Sequence, residues 1–162
     1  MMNWLKKLAI VMAIVMATTL LLTGCGGRES TTVLEEPGTG TPISGRTVHT
    51  LEAVGDELQT WEIITYYDRE EYFAFYFYES EEEIREWFAG PEPGMFIFQG
   101  MVYELVDITA DYVITRMFSD INSMNNEDLA TLVDSGEFDD NSYISLEYTI
   151  EDLKRDGAVI VE

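Results

Sequence analysis

The chain has 162 residues, with 31 Asp and Glu against 9 Lys and Arg and a formal net charge of −22. Nucleic-acid partners require clustered Lys and Arg at the phosphates, so this balance excludes them and disfavours flat docking on anionic lipid. A single cysteine and a single histidine leave no disulfide framework and no histidine-based zinc site.

The N-terminus reads as three zones. Lys6 and Lys7 charge the first stretch, Leu8 to Leu22 carries no charge, and small residues lead to Cys25. This is the layout of a secretory signal. The uncharged run of 15 residues is short for a hydrocarbon core, which takes about 20 helical residues. A core helix would need a polar face, and the run has none.

Leu22-Thr23-Gly24-Cys25 resembles the lipobox of bacterial lipoproteins: an aliphatic residue, a small residue, Gly or Ala, then Cys. The resemblance covers residues 1–25 alone. It implies cleavage before Cys25, a diacylglyceryl thioether on its sulfur and, often, acylation (palmitate, for example) of the new amine. Two or three chains anchor stably where one is marginal, at about 0.8 kcal/mol per buried CH₂. Residue 26 is Gly, not the Asp that the family uses for inner-membrane retention. The implied place is the extracytoplasmic side of the cell membrane, or the outer membrane of a diderm host. The mature chain would keep 138 residues and all 31 acids against 7 bases, because Lys6 and Lys7 leave with the leader.

Gly26 to about Thr47 is rich in Gly, Ser, Thr and Pro and reads as a flexible tether with an end-to-end distance of roughly 25 Å. The expected organisation is a signal peptide over 1–24, a lipidated N-terminus and linker over 25–47, and one acidic domain over 48–162.

Within that domain, Thr60 to Tyr67 and Tyr72 to Glu79 are rich in β-branched and aromatic residues around Asp68-Arg69-Glu70-Glu71, which predicts a hairpin. Ser80 is placed to cap a helix, with Glu83 three residues on and Ile84, Trp87 and Phe88 on one face. Strands are expected at Met95–Phe98, Met101–Ile108 and Tyr112–Phe118, with a turn at Thr109-Ala110-Asp111. Asn126 heads a second helix bearing Leu129, Leu132 and Val133, ended by Gly136. Tyr143–Tyr148 reads as a strand, Thr149 as the cap of a third short helix, and Ala158–Val161 as a last strand. Hairpin connections without a βαβ series predict an α+β fold. Its antiparallel or mixed sheet has about six to seven strands, with two to three short helices packed on it.

In the strand reading of residues 72–78, Phe73, Phe75 and Phe77 face the core and Tyr72, Tyr76 and Tyr78 the other side. The tyrosines are thus a candidate binding platform for sugar or peptide, or else a layer beneath the neighbouring helix. The stretch from Glu137 resembles an EF-hand calcium loop, with Glu137, Asp139 and Asn141 at the first, third and fifth ligand positions. Ser142 stands where the turn glycine belongs and Tyr148 where the bidentate Glu belongs. An acidic turn between helix and strand is the better account of the segment, and calcium is the one cofactor that it raises. His49 is a single base candidate beside no recognisable nucleophile motif, and abundant carboxylates single out no pair. The leading expectation is a non-catalytic binding or accessory module of the cell envelope, held by lipid and meeting a protein, peptide or glycan. The alternatives are an acidic ion-binding or sensory module and a small carboxylate-based hydrolase.

Overall fold

The computed structural model describes residues 27–90, 100–124 and 144–161. The leader, Cys25, the strand expected at 95–98, the helix expected from Asn126, and Glu137, Asp139 and Asn141 lie outside them. Six strands form one antiparallel sheet: β1 Glu29–Glu36, β2 Gly45–Val54, β3 Glu57–Asp68, β4 Met101–Ile108, β5 Tyr112–Asp120 and β6 Val159–Ile160. Their spatial order is β4-β5-β3-β2-β1-β6. Three helices are described with it: α1 Arg69–Tyr76, α2 Glu81–Ala89 and α3 Leu146–Arg155. The α+β expectation holds, with an antiparallel sheet covered on one face. No helix among the described residues is long and apolar enough to cross a membrane.

The covered face follows from register. Leu34, His49, Ile63 and Met117 lie in one cross-strand row, Thr47, Thr65 and Thr115 in the next, and partners in such rows point to the same side. Two apolar clusters occupy this face. The first joins Leu34, Leu51 and Leu58 to Ile144, Leu153 and Ala158. The second joins Tyr67, Val113 and Ile108 to Tyr72 of α1 and Ile84 of α2. The other face carries Arg46, Glu62, Glu104 and Arg116, where Arg116 bridges both carboxylates at 2.6 and 2.9 Å.

Several expectations are corrected. Residues 29–36, read as tether, form β1, and β2 straddles the boundary placed at residue 48. The segment has weak apolar periodicity because only Leu34 is fully buried. Its pairing comes from β2 on one side and β6 on the other, which a local reading cannot supply. Residues 72–76 are helix, not strand. Asp68 ends β3, and its carboxylate accepts from the Glu71 amide at 3.0 Å. Glu70 and Glu71 add favourable charge in the first turn. The strand that pairs antiparallel with β3 on that side is β5, reached only after α1, α2 and β4.

Residues 146–148 are likewise helix rather than strand. The cap of α3 is Ser145, not Thr149: the Ser145 hydroxyl accepts from the Tyr148 amide at 3.1 Å. Asp56, in the β2–β3 turn, accepts from the Leu146 and Glu147 amides through its carbonyl and carboxylate. The start of α3 is therefore pinned to the hairpin tip. β4, β5, the Thr109 turn and the Ser80 cap stand where the sequence places them.

Candidate functional site

The strongest concentration of unusual side chains lies at the end of the sheet where β3 runs into α1. Tyr72 and Tyr76 are one helical turn apart, so they share a flank of α1, and their rings sit 4.8 Å apart. Phe77 then takes the left-handed conformation, φ 59° and ψ 32°, and its amide donates to the Phe73 carbonyl. The Tyr78 amide donates to the same oxygen at 3.0 Å. This reversal folds Tyr78 back over the helix, nearly parallel to Tyr72 at 6.3 Å. Tyr67 of β3 completes the contact from below, 5.1 Å from Tyr72.

The three tyrosines singled out in the sequence are thus brought together, but by helical spacing and a left-handed turn rather than by strand alternation. They do not form one exposed platform. Tyr72 is core, Tyr78 is half-buried and Tyr76 is 43% exposed. The phenylalanines are the larger correction. Phe73 is half-buried under the Arg69 guanidinium, 5.1 Å from its ring centroid. Phe75 is 47% exposed and Phe77 89% exposed. The apolar edge presented to solvent is therefore Phe75, Tyr76 and Phe77, and Phe75 meets Tyr76 edge to face at 4.9 Å. Trp87 on α2 is also exposed, stacked edge-on against Phe88.

The edge is held rigidly. Arg69 donates to Glu81 at 2.7 Å and so ties the start of α1 to the start of α2. The Glu71 carboxylate accepts from the Ser44 amide and hydroxyl at 2.6 and 3.1 Å, which fixes α1 to the β1–β2 connection. At the start of α2 the Ser80 hydroxyl accepts from the Glu83 amide, and Glu83 returns a carboxylate to the Glu79 amide at 2.7 Å. Burial raises the phenol pKa of Tyr72 and of Tyr103 well above the ordinary value, and that of Tyr67 and Tyr78 in the same direction. The cluster is neutral and packed, a floor for the edge rather than an acid–base device.

His49 lies in the middle of β2 on the covered face, 5% exposed. Its Nδ1 accepts from Trp61 Nε1 at 3.2 Å, which leaves Nε2–H to donate to Glu36 Oε2 at 3.3 Å. Burial lowers its pKa despite the pull of Glu36. Both nitrogens are engaged within the fold, so the residue joins three strands. Among the described residues no group of three or more His, Cys, Asp or Glu is placed to hold a metal ion.

Sequence reasoning missed Phe75 and Phe77 as surface groups. The usable signal was Asp68 followed by Glu71, a helix start that competes with the aromatic run.

No protein-family model matches the chain, and no curated protein matches it. An NMR structure of a protein from Streptococcus pneumoniae TIGR4 is similar in fold, with a TM-score of 0.50 and 13% identity, covering 89% of this chain and 92% of that one. At that identity the likeness concerns the fold alone.

Proposed function

We propose that the protein is a lipid-anchored, extracytoplasmic binding module of the cell envelope, non-catalytic, which meets its partner through the aromatic edge Phe75–Tyr76–Phe77. The observation that carries the reading is three adjacent rings exposed on a braced helix end. Burying such rings is the main energetic gain available to a docking surface, and aromatic side chains dominate the anchors of protein interfaces. The anchor rests on the lipobox resemblance at Leu22–Cys25.

The corrected start of β1 makes the arrangement more specific. Three residues separate Cys25 from Glu29, so the lipid would attach close to the sheet, not through a long spacer. The Gly55 amide donates to the Arg28 carbonyl at 3.0 Å, which holds Arg28 beside the β2–β3 turn, and a lipid on Cys25 would lie near that turn. α1 begins at the opposite end of β3, a 12-residue strand about 40 Å long. The aromatic edge then belongs to the end of the sheet remote from the membrane, where an envelope protein, peptide or glycan would be met.

The test is co-sedimentation of the full chain carrying Cys25→Ala with washed cell envelopes. The substitution should abolish incorporation of labelled palmitate into the chain and leave its co-sedimentation with envelopes intact. Adding Phe75→Ala and Phe77→Ala should abolish sedimentation. Equal sedimentation with and without the rings would refute the docking role, and palmitate incorporation that survives Cys25→Ala would refute the anchor.

A further inference from the structure

Among the described residues, the most exposed aromatic ring is also the one with the least favourable backbone. Phe77 is the single non-glycine residue with positive φ among the described residues. Left-handed backbone is unfavourable for a side chain with a Cβ, and Gly or Asn ordinarily ends a helix in this conformation. The Phe77 ring repays nothing within the fold: it is 89% exposed and has no ring contact among the described residues. A glycine would make the same turn and the same two bonds to the Phe73 carbonyl. Strain of this kind, combined with exposure of a large apolar ring, points to a use outside the fold.

What would cover the ring follows from the charges around it. From Asp68 to Gly90 there are eight acids and two bases. Both bases are occupied, with Arg69 and Arg85 each directed at Glu81. Glu70, Glu79, Glu82 and Glu86 are exposed and have no ion pair among the described residues. An anionic bilayer, a nucleic acid or a second copy of this chain, itself strongly acidic, would be repelled. Aromatic faces beside carboxylates attract guanidinium and ammonium groups, by the ring quadrupole and by direct charge.

Resting on the reading of this edge as a docking surface, we propose that its partner is a basic polypeptide segment. Phe77 is the anchor residue, and Lys or Arg side chains of the partner lie against Phe75 and Tyr76 and pair with the free glutamates of α1, α2 and the turn between them.

Fluorescence anisotropy of a fluorescein-labelled octalysine, titrated with the full-length chain in a non-ionic detergent, tests this. Octaglutamate, anionic phospholipid vesicles and an oligosaccharide of N-acetylglucosamine serve as the competing probes. Octalysine should bind saturably, and Phe77→Gly should weaken it roughly tenfold or more while the thermal midpoint stays the same or rises. Replacing Glu79, Glu82 and Glu86 together by Gln should weaken binding and flatten its salt dependence. Octalysine binding that survives Phe77→Gly would overturn the proposal, since charge alone would then account for it. Binding of the vesicles, the oligosaccharide or octaglutamate in place of octalysine would overturn the partner class. The envelope co-sedimentation would still report separately whether the edge docks anything.

Discussion

The Asp68 carboxylate accepts a hydrogen bond from the Glu71 amide at 3.0 Å, and this contact turns β3 into α1. Without it the aromatic run that follows has the composition of a strand. With it, Tyr72 enters the core while Phe75 and Phe77 turn outward.

Asp68→Ala should therefore cost about 1 kcal/mol of stability, the usual loss for an N-cap. Asp68→Asn or Asp68→Ser should restore most of it. Thermal unfolding followed by circular dichroism measures both. Equal midpoints for Asp68→Ala and the parent chain would mean that α1 is held by packing alone.

Leu34→Ala separates the observed architecture from the tether expected on sequence grounds. Leu34 is fully buried in an interior strand, between β2 and β6, and packs with Leu51 and Leu153. Truncating such a residue costs about 2–5 kcal/mol. Urea unfolding should report a loss in that range, and a loss near zero would return residues 29–36 to the linker.

His49 supplies a pH dependence with a defined sign. Burial holds its folded pKa below the ordinary value, so the unfolded chain takes up the proton first as pH falls. Its contribution to stability is complete above about pH 6.5 and is lost as pH drops through and below that value. Protonation at Nδ1 would also displace the Trp61 hydrogen bond. The many carboxylates titrate in the background, so the comparison is with His49→Gln. The stability of the parent chain relative to this variant should fall between about pH 7.5 and pH 5. A constant difference would contradict the assignment.

The pattern of what was legible in the sequence is physical. The Thr109 turn and the Ser80 helix start rest on neighbours three residues away, and β4 and β5 form the hairpin which that turn closes, so local patterning finds them. β1 depends on β2 and β6 for its pairing, and its exposed Glu, Ser and Thr side chains look like linker. In α1 two local signals compete, and the β-preference of Tyr and Phe outweighs the cap unless the cap is read first. The start of α3 leans on Asp56, 90 residues away from Leu146 in the chain. The grouping of Tyr72, Tyr76 and Tyr78 emerged from a mistaken periodicity because spacings of four and two both unite them. Which rings reach solvent depends on the periodicity itself, and there the strand reading failed.

The central claim is that the Phe75–Phe77 edge is the surface at which this protein meets its partner in the envelope. Site-specific photocrosslinking in intact cells tests it most directly, with p-benzoylphenylalanine introduced at position 77 and, as the control, at position 102. Val102 is 49% exposed and lies on the uncovered face of β4, in register with Phe118. The account predicts a discrete adduct from position 77 and none from position 102. No adduct from position 77, or the same adducts from both positions, would contradict it.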